Sequence, residues 1–374
     1  MIPLLTPISM KNSLLALCVL ALTPVVQAAD APAATTVPAS SGPYHFIKEI
    51  HIGGAPSTDY LTVDPEGRRL YVSHGNEVAV VDIDKDEVVG NITDQNGVHG
   101  IAIVSKAGLG FISNRGSNSV KVFDLKTLKV TKDIPTGNNP DWIFYEPSQN
   151  EVYAFNGNSR SASVIDVTKL EVTATIDLPG KPESATVDTK AGRIYDNIED
   201  QNEVAVIDIK THKVVTTWKN TPATGGASGQ ALDAASHRLF LACGDDSMTM
   251  MDSESGKVLF SLPAAKGLDS AAFDPGTGYA FVPGGQSGTV TVAKVDGDKL
   301  VLVQTVTTAT GAKTMSLDPT THKFYTATVK YQAAPAPAAA SASASATGAR
   351  GRPPRPPAVA DSFRVLVYGI DAKK

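Results

Sequence analysis

Residues 63 to 92 read VDPEGRRLYVSHGNEVAVVDIDKDEVVGNI, and most of the chain is a variation on this stretch. Three runs of β-prone residues, RRLYVS, EVAVVDI and EVVGNI, are separated by HGN and DKD. These short polar separators are the kind that join antiparallel strands. The pattern returns six more times, opening at Val104, Tyr145, Val187, Leu232, Phe273 and Leu317. The intervals are 41, 41, 42, 45, 41 and 44 residues. A strand-only repeat of roughly 40–45 residues is the period of one four-stranded propeller blade. The sequence therefore predicts an all-β chain, a seven-bladed β-propeller of four-stranded antiparallel blades.

The two ends of the repeat array complement each other. YHFIKEIHIGG, residues 44 to 54, has the pattern of a fourth strand with no three strands before it. SFRVLVYGIDAKK, residues 362 to 374, reads as a third strand with nothing after it. The N-terminal strand is expected to complete the last blade, which removes two open sheet edges at once. The propeller then spans residues 44 to 374. Residues 331 to 361 interrupt the last blade with an Ala/Ser/Pro-rich insertion containing Arg350, Arg352 and Arg355. Its composition predicts disorder, because little apolar area is there to offset the entropy of ordering.

Residues 1 to 29 carry one cation, Lys11, then an apolar run from Leu14 to Leu22 and the small-residue ending Val26-Gln27-Ala28. This is the pattern of a cleavable secretory signal peptide, with Met10 a natural start. Residues 30 to 43 form a Pro/Ala/Ser/Thr-rich leader, read as disordered. The expected location is periplasmic or secreted. With the signal removed, Cys243 is the remaining cysteine, so no intramolecular disulfide forms and stability comes from packing. The formal charge of −5 gives no electrostatic footprint for nucleic acid.

Acids recur for architectural reasons. Asp64, Asp274 and Asp318 follow the innermost strands, and Asp82, Asp124, Asp166, Asp208 and Asp252 end third strands. Both sets suit turn formation. Catalytic signatures are missing from the sequence: there is no C-x-x-C-H, no H-E-x-x-H, no G-x-S-x-G elbow and no phosphate-cradling loop. Ser228 in GGASGQA opens a strand and precedes no predicted helix, so it is not read as a nucleophile. Cys243 is expected to be a buried, inert thiol, and His51, His212, His237 and His322 to be solvated at strand ends or turns.

LYVSHGNEVAVVDID, VYAFNGNSRSASVIDV and RIYDNIEDQNEVAVIDI resemble the repeat of the YVTN family of seven-bladed β-propellers, the YncE-like proteins exported by bacteria. The likeness covers about residues 44 to 374. Blades five and six depart most, with Met250-Met251 in place of a β-branched pair and Lys294 in place of the repeated Asp. The resemblance implies a periplasmic or surface binding scaffold, and it carries no catalytic residue.

Propeller geometry singles out one face. Loops that lead into first strands and loops between second and third strands open together around the central channel. Four residues before each repeat start stand Asp59, Gly100, Asp141, Glu183, Ser228, Asp269 and Lys313. Tyr60, His99 and Trp142 flank them, and the second-to-third-strand loops add His74, Asn114, Arg115 and Arg160, with Asn156, Asn197 and Glu199. Asp59, Asp141, Glu183 and Asp269 are expected around one opening, opposite Lys313. Two function classes follow. The first is a non-enzymatic, monomeric scaffold that binds a small ligand or a protein partner at this mouth. The second is a metal-dependent hydrolase or lactonase in which the carboxylates hold a divalent cation such as Ca²⁺. No cofactor motif is identified.

Overall fold

The computed structural model describes residues 41–54, 59–332 and 357–370. The signal segment, most of the leader and the centre of the long insertion lie outside the described residues. Among the described residues no helix is long and apolar enough to cross a membrane.

Seven separate four-stranded antiparallel sheets form the chain. Blade 1 shows the plan: Leu61–Asp64, Arg69–His74, Glu77–Asp82 and Glu87–Ile92, paired in sequence order. The two middle strands are buried along nearly their whole length, because each blade is covered on both faces by its neighbours. Seven apolar clusters fill the seven blade interfaces, among them Leu70, Val72, Tyr325 and Phe363 between blades 7 and 1. Met250 and Met251 keep this role in blade 5, each facing a different interface. The unbranched thioether adapts to a gap that the β-branched pair fills elsewhere.

Blade 7 is built from Met315–Asp318, Lys323–Thr328, Arg364–Ile370 and the N-terminal strand Tyr44–His51. Tyr44 pairs with Ile370 and His51 with Arg364, so the closure inferred from the two incomplete ends is the one observed. Tyr44 is buried against Phe281 and Phe324, at ring separations of 5.2 and 5.5 Å. Its backbone N–H donates to Gln304 Oε1 at 2.9 Å, and Gln304 Nε2 donates to its carbonyl at 2.7 Å. The closing strand is thus fastened to blade 6 as well as to its own sheet.

The turns explain the recurring acids. Asp124 Oδ1 accepts from the N–H groups of Lys126 and Thr127, and Asp82, Asp166, Asp208 and Asp252 act alike. Each turn between first and second strands carries one residue with positive φ, at Arg68, Gly108, Asn150, Gly192, His237, Gly278 and His322. In blade 6, where Lys294 stands in place of the Asp, the third strand runs on to Asp296 and the turn shifts to Gly297.

The described ends of the insertion are narrower than expected. Tyr331 bridges Ala358, and Val359 N–H donates to the Lys330 carbonyl at 2.7 Å. Backbone pairing extends the blade past Thr328, so residues 331–332 and 357–361 belong to an ordered stem.

Candidate functional site

In blades 2 to 6 the leading loop and the second-to-third-strand loop are tied together. Arg115 N–H donates to the Gly97 carbonyl, Gly157 to Asn139, Glu199 to Lys181, Gly244 to Gly226 and Gly285 to Gly267. The two loop sets therefore share one face, as propeller topology requires.

On that face the inner strands begin at the channel, and their free edges need partners. Ser113 Oγ accepts from Gly100 N–H at 2.8 Å and donates to the Asp141 carbonyl at 2.5 Å. Thr314 Oγ1 donates to the Asp59 carbonyl at 2.5 Å, and Ser73 Oγ accepts from Asp59 N–H at 2.9 Å. These hydroxyls fix the backbone that carries the acids. Gly100 has no room for a side chain, since a Cβ there would lie 2.9 Å from the Asp141 carbonyl. Its lack of a side chain allows blades 2 and 3 to close up and puts His99 beside Asp141.

The result is a chain of charges drawn from six blades. His99 Nδ1 lies 2.6 Å from Asp59 Oδ2 and 3.1 Å from Asp141 Oδ1. Lys313 Nζ lies 2.5 Å from Asp269 Oδ2 and 3.7 Å from Asp59 Oδ1. Lys181 Nζ lies 3.0 Å from Glu183 Oε2 and 2.5 Å from Glu199 Oε2. One oxygen of Asp59 therefore turns to Lys313 and the other to His99. The His99–Asp141 contact is poorly aligned for a hydrogen bond and draws much of its strength from charge.

The environment shifts the protonation of these groups. Burial of the His99 ring opposes its charged form, but Asp141 and Asp59 outweigh it and lift the imidazole to about 10. Burial, then the charges of Asp141 and Glu199, push Glu183 up to about 7 against the pull of Lys181. Burial also raises Asp269; Lys313 pulls against it, and Asp59 and Asp141 add to the rise. Lys313 is held above its ordinary value because Asp269, Asp59 and Asp141 overcome the cost of its burial.

Several expectations are revised here. Lys313 does not face the acids from across the opening; it is inserted between Asp269 and Asp59. Tyr60 is nearly buried, and its ring meets Trp142 edge to face at 4.9 Å. Trp142 Nε1–H donates to the Ala185 carbonyl at 2.8 Å. The two rings stand together on the channel wall. His74 stacks on Phe363 at 4.5 Å and contacts Glu77, away from the acid chain. Asn114 is buried and braces a loop, accepting from Asn96 N–H at 2.7 Å and donating to Gln95 Oε1 at 2.9 Å. Arg160 pairs with Asp200 at 3.1 Å, and Arg115 is exposed on its loop. Ser228 Oγ donates to the Leu268 carbonyl, and Cys243 is fully buried, where burial raises its thiol pKa. His212 and His322 lie in turns as expected, but instead of being left to solvent they reach Glu151 at 3.0 Å and Asp274 at 2.8 Å on neighbouring blades.

Two participants went unnoticed in the sequence. Lys181 precedes Glu183 by two residues and is brought to it by a register shift between Pro182 and Ala185. Asp196 is fully buried in the interface of blades 3 and 4, and neither of its oxygens has a hydrogen-bond partner. Burial, with the charge of Glu183 added, raises its pKa far above the carboxylate range. A signal existed: the equivalent strand position reads Val72, Ile112, Ala154, Leu241, Val282 and Thr326 in the other blades.

Below Tyr60 and Trp142 an axial cavity of about 620 Å³ continues to Asp64, Glu66 and Ser105 at the opposite face. No protein-family model matches the chain, and no curated protein matches it. Solved structures do match. Kuenenia stuttgartiensis hydrazine synthase is 19% identical, with a TM-score of 0.63 over 75% of this chain and 96% of that one. U3-55K is 12% identical, with a TM-score of 0.68 over 86% and 98%. The RRP9 WD40 repeats are 12% identical, with a TM-score of 0.69 over 87% and 98%. At these identities the likeness establishes the β-propeller fold and leaves activity to the site itself.

Proposed function

We propose that the chain is an exported, YVTN-type propeller scaffold that binds a divalent transition-metal ion at the acidic mouth of its channel. The observation that carries this reading is the convergence of Asp59, His99 and Asp141, whose donor atoms all lie within 4.8 Å of one another. They come from three consecutive blades. Two donors bound at about 2.0–2.2 Å to one ion sit roughly 3 Å apart. The His99–Asp141 separation of 3.1 Å fits this, and the His99–Asp59 separation of 2.6 Å requires a few tenths of an ångström of opening. A nitrogen donor beside two carboxylates favours Zn²⁺ or Mn²⁺ over the oxygen-only preference of Ca²⁺. Lys313 holds Asp59 by its other oxygen and so orients the ligand without occupying its metal-facing atom. The metal replaces the proton that His99 otherwise holds between two carboxylates.

Calorimetric titration with ZnCl₂, MnCl₂ and CaCl₂ tests this directly. One Zn²⁺ or Mn²⁺ per chain should bind the intact protein, at least 100-fold more weakly to an Asp59→Asn/Asp141→Asn variant. No uptake, or equal uptake by both proteins, would reduce the mouth to a hydrated salt-bridge lining. The hydrolase reading draws on one observation, Glu183 poised at about 7 and suited to a general base. It requires metal-dependent turnover of an ester or lactone that disappears in Glu183→Gln.

A further inference from the structure

We propose that the axial cavity on the far side of Tyr60 and Trp142 is a second binding site, for an uncharged, elongated molecule with aromatic or aliphatic surface. At about 620 Å³ the cavity has the size of a small-molecule site. One end lies at the Tyr60–Trp142 contact; the other reaches the turns at Asp64, Glu66 and Ser105. Val63, Ile103, Ala272 and Leu317 stand on its wall, half exposed to it.

A bare propeller channel would be polar, because seven inner strands turn free backbone edges toward the axis. Here much of that polarity is consumed between blades. Val63 N–H is capped by Ser316 Oγ at 3.0 Å, and the Ile101 carbonyl by Thr62 Oγ1 at 2.8 Å. Trp142 caps the Ala185 carbonyl, while Gln230 accepts from Thr186 at 2.6 Å and donates to Asn197 at 2.8 Å. The polar side chains that stitch the blades are thereby unavailable to a guest. Apolar atoms make up the larger share of the wall, so water filling this volume, roughly 20 molecules at about 30 Å³ each, is displaced most favourably from Val63, Ile103, Ala272 and Leu317 by an uncharged guest with aromatic or aliphatic surface.

Charge narrows the class further. No Lys, Arg or His lines the cavity among the described residues, so an anion has no counterion. The acids are confined to the rim, where Asp64 already accepts from Gly67 N–H at 3.0 Å. An aromatic guest gains most, since Tyr60 and Trp142 line the cavity and pair favourably with another ring.

The test uses N-phenyl-1-naphthylamine, an uncharged aromatic fluorophore, on the purified full chain. Saturable enhancement with one probe per chain is expected, at least tenfold weaker in Ala272→Phe, which fills the cavity, and in Leu317→Gln, which makes it polar. An Asp59→Asn/Asp141→Asn variant should bind the probe unchanged, separating this site from the metal-binding mouth. A Trp218→Phe variant leaves Trp142 as the donor, and saturating probe should quench it by more than half. Absence of saturable binding overturns the proposal. So does undiminished binding in both cavity variants, or a Trp142 signal the probe leaves untouched; either would put the probe on the exposed apolar outer strands, at Phe46, Val88, Val89, Val301 and Leu302.

Discussion

The two ends of the channel use the same residue types to opposite ends. At the turn end, Asp318 is fully buried yet accepts from Thr320 N–H at 3.0 Å, from Thr321 Oγ1 at 2.7 Å and from Arg68 at 2.9 Å. Burial by itself would raise its pKa, and these partners outweigh burial and hold the carboxyl below the ordinary range. At the mouth, Asp269 and Glu183 have no backbone donors among their recorded partners, and their pKa values rise. A carboxylate saturated by its own turn is architecture. One answered by mobile cations, or by nothing, is free to exchange those partners for a ligand.

The largest stability effect should come from the saturated end. Asp318→Ala removes three contacts at once and leaves the part-buried Thr320 N–H, Thr321 hydroxyl and Arg68 guanidinium without this partner. We expect a loss of about 2–3 kcal/mol in chemical denaturation, with Zn²⁺ binding unchanged. A variant as stable as the parent would erase the distinction between the two ends.

Asp196 should behave in the opposite sense. Its pKa is raised in the fold, so the native chain keeps a proton that the unfolded chain gives up above about pH 4. Its contribution to stability is therefore best at acid pH and worsens as pH rises. Asp196→Val, which restores the residue type of the other blades, should gain about 1–3 kcal/mol at pH 8, an advantage that shrinks toward pH 4. Denaturation at both pH values checks the sign. A penalty at pH 8 would show that Asp196 has a polar partner in solution.

The smallest effect belongs to the outer turns. Asp208 is half-buried and caps one hairpin, accepting from Thr211 N–H at 2.8 Å. Asp208→Ala should lower the melting temperature by about 1–2 °C and leave both binding sites intact. A drop as large as that of Asp318→Ala would mean that burial is not what separates the two groups of acids.

The fold was legible because a propeller is encoded locally. Alternation in RRLYVS and EVAVVDI sets the strands, Asp82 and its counterparts set the turns, and seven copies leave one ring to close. Even the closure of blade 7 by Tyr44–His51 followed from counting strands. The site was legible only as a list of positions, of which Asp59, His99, Asp141, Glu183, Asp269 and Lys313 come together while His74, Asn114, Arg115 and Arg160 do not. Ring closure brings Asp59 and Lys313 together across 254 residues, and no local pattern records the distance between them. Side-chain direction is decided the same way. His74 closes a second strand and His99 opens a first strand on the same channel face, but one fits flat on Phe363, while the other lies beside Gly100 and reaches Asp59 and Asp141. The sequence by itself determined the strands, their turns and their number. The tertiary structure alone decided which charges meet, because that depends on how closely neighbouring blades approach the axis and on which hydroxyls cap their free edges.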